Sequence, residues 1–164
     1  MNRIKLTVPL ISQSPELPTG CEITAVTMML RCAGNDVGKV QLAKEMPYDQ
    51  SDCNKGFVGN PFTDDGNSIY PPALMALVTR YVGDAVNLSG QSVDQLIAHL
   101  AKTNHPIVVW VGNFDGFNTH ALVMTGFDEK AVYYNDCWTG KRAALSIPEF
   151  ETIRVNKQKL ALSY

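Results

Sequence analysis

The sequence predicts an α+β protein, with an N-terminal helical half and a C-terminal antiparallel sheet. Up to about residue 100, apolar side chains recur at helical spacing between capping and stop signals. After Pro106 the pattern changes to β-branched apolar runs separated by Gly, Asn and Asp. At 164 residues the chain is long enough to bury a real core, and no repeat or low-complexity tract divides it. Residues 1–164 are therefore read as a single domain.

Each element has its own signal. Residues 21–33 place Ile23, Ala25, Val26, Met29, Leu30 and Ala33 at roughly helical spacing, and Gly34-Asn35 stops the helix. Thr19 and Glu22 have the spacing of a capping box at its start. A short helix is expected over 39–45, ended by Pro47. Residues 47–69 are rich in Asp, Asn, Gly and Pro and read as one long loop, anchored by Phe57 and Phe62. Pro71-Pro72 opens a third helix through Leu74, Leu77, Val78 and Tyr81, and Gly83 stops it. Ser92 and Gln95 form a second capping box, leading into Leu96, Ile97 and Leu100.

The sheet half follows. Residues 107–111, Ile-Val-Val-Trp-Val, read as a buried strand. Residues 112–118 are a loop. Residues 120–127 and 131–134 flank Asp128-Glu129-Lys130 as a hairpin. A further strand is expected over 143–147 and a short helix from Pro148, with residues 159–164 closing the sheet.

Composition narrows the function. The apolar fraction of 45% and charged fraction of 18% are those of a soluble globular protein. The net charge of −2 gives no electrostatic reason to expect nucleic acid or an anionic membrane surface. No apolar run approaches the ~20 residues of a membrane span. The first ten residues lack the apolar stretch of a signal peptide. The expected location is cytoplasmic, or secreted or in the cell envelope if a leader has been removed. Cys21, Cys32, Cys53 and Cys137 form no C-x-x-C pair and no zinc-finger spacing, so all four are read as reduced and no structural zinc is expected.

Cys21 is the chemical centre of the sequence. It falls in the first turn of the first helix, where unpaired N–H groups and the helix dipole favour a thiolate. A thiol nucleophile needs a base. His99 lies in mid-helix and is read as solvent-facing, and His105 precedes Pro106 at a turn. His120 begins a strand directly after a Gly/Asn-rich loop, where a scaffold presents reactive groups. The return strand brings Asn135 or Asp136 past His120, and either can orient an imidazole. Alternation means that the two do not both face it, and a tight turn at 128–130 sets His120 opposite a residue slightly beyond Asp136. A bulge or a diagonal contact is therefore needed. Acyl transfer also needs donors at the developing oxyanion. The Cys21 N–H is one, and the Gln13 side chain, eight residues upstream, is a candidate for the other.

The order Gln13, Cys21, His120, Asx is that of papain-like thiol enzymes. The stretches Val8-Pro9-Leu10-Ile11-Ser12-Gln13, Glu16-Leu17-Pro18-Thr19-Gly20-Cys21-Glu22, 106–110, 120–128 and Asn135-Asp136-Cys137-Trp138-Thr139-Gly140 resemble stand-alone bacterial relatives of the double-glycine-leader peptidases. Those are the papain-like domains that process bacteriocin precursors. The resemblance runs from about Val8 to Tyr164. It implies a papain-like cysteine peptidase fold, with Cys21 as nucleophile, His120 as base and then acid, Asp136 as orienting carboxylate and Gln13 at the oxyanion. Members usually carry proline after the aspartate, whereas this chain has Cys137.

The implied reaction is acyl transfer through a thioester on a peptide or protein substrate, with no cofactor or metal. Loops 47–69 and 112–118 are the expected walls of the cleft, with Phe57, Phe62, Phe114 and Phe117 as candidate apolar subsites. A cysteine peptidase, another thiol acyl-transfer enzyme (deamidase, amidase, acyltransferase or transglutaminase-like) and a non-catalytic peptide-binding module share this constellation. Oligomeric state is not legible.

Overall fold

The computed structural model describes residues 3–164. In chain order the elements are β1 (Ile4–Lys5), α1 (Cys21–Cys32), α2 (Lys39–Glu45), β2 (Tyr48–Asp49), β3 (Phe57–Val58), α3 (Pro71–Val82), β4 (Val86–Asn87) and α4 (Val93–Thr103). Then follow β5 (Ile107–Val111), β6 (His120–Phe127), β7 (Ala131–Asp136), β8 (Lys141–Ser146), α5 (Ile147–Val155) and β9 (Ala161–Ser163). The main sheet runs β4-β9-β5-β6-β7-β8, and β1 joins β6. Each of its pairings is antiparallel. No helix among the described residues is long and apolar enough to cross a membrane.

Strand alternation divides the core into two layers. Val108, Trp110, Ala121, Val123 and Leu162 pack with the buried faces of α1, α2 and α3. Ile107, Val109, Val111, Leu122 and Met124 pack on the other side, with Leu96, Ile97 and Leu100 of α4 and Phe150 of α5. The middle of the sheet is thus covered on both faces, which explains why β5 and β6 are buried at every position, whereas β8 at the edge is largely exposed. The α1 helix lies against the middle of the sheet, and its first turn reaches the edge where β6 begins.

The elements form for the reasons that the sequence offers. At α4, Ser92 Oγ accepts the Gln95 N–H at 3.2 Å, and the Gln95 side chain accepts the Ser92 N–H at 2.8 Å, so that capping box is complete. Gly83 ends α3 at φ +83°, in the left-handed region.

The first capping box is a correction. The N-cap of α1 is Gly20, with no side-chain cap. Thr19 Oγ1 donates instead to the carbonyls of Asn60 at 3.2 Å and Thr63 at 2.8 Å, tying the long loop to the start of α1. That loop is also more ordered than expected: its two-residue strands β2 and β3 pair in parallel. Phe57 is fully buried and anchors it, and Trp110 Nε1 donates to the Ile69 carbonyl at 3.0 Å. Phe62, expected as the second anchor, is exposed instead. His99, expected to face solvent, is half-buried, with Nε2 3.0 Å from Oγ of Ser163 at the end of β9.

Candidate active site

The segment before α1 is fastened along the end of the sheet. The Asn135 side-chain amide donates to the Val8 carbonyl at 3.2 Å and to the Pro9 carbonyl at 3.3 Å, and Arg142 also donates to Val8 at 3.0 Å. The Gln13 N–H then donates to the Cys137 carbonyl at 3.0 Å. These bonds settle which Asx faces the imidazole. Asn135 serves the N-terminal segment, whereas Asp136 Oδ1 lies 2.9 Å from His120 Nε2.

A single cavity is lined by Gln13, Pro18, Thr19, Cys21, Gly66, Asn67, Phe117, Asn118, Thr119 and His120. It brings together three of the four residues singled out in the sequence. Asp136 stands behind His120, 2% exposed, with the Trp138 N–H also donating to its Oδ1 at 2.9 Å. Burial pulls the Asp136 carboxyl upward, but the hydrogen bond from His120, pairing with Asp115 and the Trp138 N–H hold it at about 2. Asp136 therefore carries a charge at neutral pH and faces the Nε2 edge of the ring. Phe117 stacks on the imidazole at 5.4 Å between centroids, and Trp138 packs edge-on against Phe117 at 4.9 Å. Of the other candidate subsite aromatics, Phe114 packs edge-on against Tyr134.

Cys21 is the first residue of α1 and 7% exposed. Its thiol is enclosed by the protein on all sides but the cavity. Burial pushes it well above the ordinary thiol range, and the adjacent Glu22 and Cys137 add to this, against an N–H from Ala121. Desolvation outweighs the benefit that a helix start offers a thiolate. Glu22 is the cause that the sequence concealed. It is fully buried, with Oε1 3.3 Å from Cys21 Sγ and Oε2 bonded by Ser68 Oγ. Burial raises its own carboxyl, against the Ser68 bond.

Gln13 is 2% exposed and held at both ends of its amide. Its Nε2 donates to the carbonyls of Leu17 at 3.2 Å and Pro18 at 2.9 Å, while Oε1 accepts from Cys137 Sγ at 3.2 Å. Cys137 thus braces the oxygen end of the glutamine amide.

A second carboxyl was missed. Asp115 Oδ2 lies 3.5 Å from His120 Nε2, is buried, and has no hydrogen-bond partner among the described residues. Its signal was the dipeptide Asp115-Gly116 between two aromatic residues, a hairpin-turn signature. The donor atoms of His120, Asp136 and Cys137 lie within 4.8 Å of one another. His120 and Asp136 are directed at each other and Cys137 at Gln13. This is the chemistry of an oriented base rather than of ligands converging on an ion.

A helix-borne thiol and a strand-borne imidazole in one cavity, on a two-layered antiparallel sheet, define a protein of papain-like fold. The chain belongs to the family described as "Peptidase_C39 like family", whose model matches residues 5–160. A solved structure from Bacillus anthracis, described as a candidate C39-like peptidase, superposes with a TM-score of 0.90 at 30% identity. That match covers 100% of this chain and 98% of the other. The uncharacterized protein YvpB of Bacillus subtilis (strain 168) is 32% identical over 164 aligned positions. These cover 84% of this chain and 66% of YvpB, so the match spans just under two thirds of that relative.

Proposed function

We propose that the protein is a cysteine peptidase that hydrolyses peptide bonds through a thioester on Cys21. The observation that carries this reading is the held imidazole: His120, fixed by Asp136 at 2.9 Å, shares one cavity with Cys21. His120 takes the Cys21 proton as Sγ attacks the substrate carbonyl, and Asp136 stabilises the imidazolium that forms. The raised resting thiol fits a proton that leaves only as attack occurs. The oxyanion meets the Cys21 N–H at the start of α1. Gln13 is the second donor, sharing N–H groups that also serve Leu17 and Pro18. The imidazolium then protonates the leaving amine, the C–N bond breaks, and water resolves the thioester.

A peptide chain would cross the cavity between two walls, Pro18, Thr19, Gly66 and Asn67 on one side and Phe117, Asn118 and Thr119 on the other. The test is a peptide library read by mass spectrometry, comparing wild type with Cys21→Ala. New amino termini, absent in the variant, are the expected result. Ammonia or acyl-product formation without chain cleavage overturns the peptidase in favour of another thiol acyl-transfer enzyme. No turnover of either kind leaves a peptide-binding module.

A further inference from the structure

We propose that Asp115 is a positioning residue of this site: its carboxyl faces the same Nε2 edge of His120 as that of Asp136, the pair retains one proton, and loss of that proton gives the imidazolium a second counter-charge. The proposal rests on the reading of His120 as the base for Cys21. Its foundation is geometric. The Phe114 and Phe117 backbones bond each other in both directions, at 3.1 and 2.9 Å, closing a two-residue turn. Its central residues, Asp115 and Gly116, have φ +55° and +83°, as a type I′ turn requires. Both flanking rings are anchored, Phe114 on Tyr134 and Phe117 on the imidazole. The turn therefore presents the Asp115 carboxyl to His120 from a fixed platform.

Asp115 Oδ2 would be a poor structural feature by itself. A buried carboxylate oxygen without a donor is destabilising, and turn formation does not need it. Two carboxyls facing one ring nitrogen do have a use. Two like charges so close do not both ionise easily, so the pair retains one proton and the two groups titrate jointly. Burial, then pairing with Asp136 and its charge, push Asp115 up to about 7, while His120 opposes the rise.

The surroundings favour retention of that proton. The titratable groups facing Asp115 are His120 on β6, Tyr134 and Asp136 on β7, and Cys137 in the turn just after it. The α5 helix supports the loop through Ile153 and its C-cap Asn156, which bond Gly112, and its Glu149 acts on Tyr134. Among the described residues, the one ion pair of Asp115 is with His120. Below the titration of the pair, the imidazolium sees one negative charge. Above it, the imidazolium sees two, and the thiolate–imidazolium form of Cys21 and His120 gains.

The experiment is a 13C titration of the aspartate carboxyls in wild type, each assigned through its own Cβ, with site-resolved iodoacetamide alkylation of Cys21 in wild type and Asp115→Asn. The proposal expects the Asp115 carboxyl to titrate near 7. It also expects Cys21 alkylation to rise through the same pH in wild type, and the variant to lose that rise, falling roughly ten-fold behind above it, the effect of one pKa unit. A purely structural Asp115 would lower yield or melting temperature without moving the pH profile. The proposal is overturned if Asp115 titrates in the ordinary carboxylate range, or if the two alkylation profiles coincide. The carboxyl titration needs no variant, so a misfolded Asp115→Asn does not remove the test. Neither readout uses a peptide, so peptide cleavage with an ordinary Asp115 sinks this proposal alone, and absent cleavage with a titrating Asp115 sinks the peptidase alone.

Discussion

His120 and Asp136 face each other because Thr125 is an extra residue in β6. From Phe127 opposite Val132 to Gly126 opposite Tyr133 the hairpin keeps one register, and then Met124 pairs with Tyr134. Before the shift the paired numbers sum to 259, an odd number, so His120 and Asp136 would lie on opposite faces. After it they sum to 258, and Leu122 stands opposite Asp136. His120 is then a diagonal neighbour of Asp136 on one face, within reach of its carboxylate. The bulge is held from outside, since Leu6 donates to the Thr125 carbonyl at 2.8 Å. Gly126 lets β1 lie this close, as a Cβ there would sit 2.2 Å from the Ile4 carbonyl oxygen.

This relationship makes Asp136 separable into shape and charge. Asp136→Asn keeps an acceptor for His120 Nε2, whereas Asp136→Ala removes it. We expect Asp136→Ala to lower kcat/KM by about 10²-fold or more, the range for an impaired general base, and Asp136→Asn to fall between the two. Steady-state kinetics on a cleaved peptide checks this. Equal losses would mean that the charge, not the hydrogen bond, does the work.

Glu22 gives a prediction that does not depend on the substrate. Its carboxylate disfavours the Cys21 thiolate, so Glu22→Gln should make Cys21 react faster with iodoacetamide at neutral pH, by several-fold. Mass spectrometry at each cysteine reads the rate. An unchanged rate would show that burial alone holds the thiol up.

The same carboxyl sets a pH dependence of stability. Its folded-state pKa is raised, so the folded protein binds more protons than the unfolded chain. That contribution is complete below the unfolded value of about 4.3 and is lost as pH rises through the folded value. Wild type should therefore lose stability relative to Glu22→Gln as pH rises above about 4.3. Urea midpoints of both proteins across that window decide it, and parallel curves would exclude the linkage.

How much of this was legible follows from element length. The helix over 39–45 and the strands over 107–111 and 120–127 were readable, because each carries a run long enough for a period or an apolar block to show. The two-residue strands β1 to β4 have no period to read and exist through their partners. Cys21 and His120 stood out because thiols and imidazoles are few, four and three in the chain, and both lay at element starts, whereas Asp136 was picked out by its place at the end of the return strand. Glu22 was hidden by its own good fit to a capping box, a local rule that Ser68, forty-six residues away, overrides. Whether Asn135 or Asp136 oriented the ring depended on the parity set by Thr125, and the sequence called for a bulge or a diagonal contact without fixing which of them occurs or where.

Gly66 should be intolerant of a side chain. A Cβ there would lie 1.9 Å from Thr19 Oγ1 and 2.9 Å from the Asn60 carbonyl oxygen, inside the network that ties the long loop to α1. Gly66→Ala should cost about 1–3 kcal/mol, the usual range for overpacking. Thr19→Ala in the same chain removes the nearest atom and should recover part of the loss. A double-mutant cycle on chemical denaturation measures the coupling, and strict additivity would place the strain elsewhere.

The last prediction concerns Gln13, where two roles compete for the same N–H groups. If the amide mainly braces the turn before α1, Gln13→Ala removes the bonds to Leu17 and Pro18 and shows as lost stability, about 1 kcal/mol for each net hydrogen bond. If it also supports the oxyanion, kcat falls by up to the 10²–10³-fold typical of a lost donor, with KM little changed. The Cys137 bond to Oε1 separates the two. Cys137→Ala leaves both N–H groups in place but frees the amide to turn. We therefore expect Cys137→Ala to lower kcat in the same direction as Gln13→Ala, but less. Both variants should be followed by peptide kinetics and denaturant midpoints together. A loss of stability with kcat intact in both would confine Gln13 to the turn and leave the Cys21 N–H as the oxyanion donor.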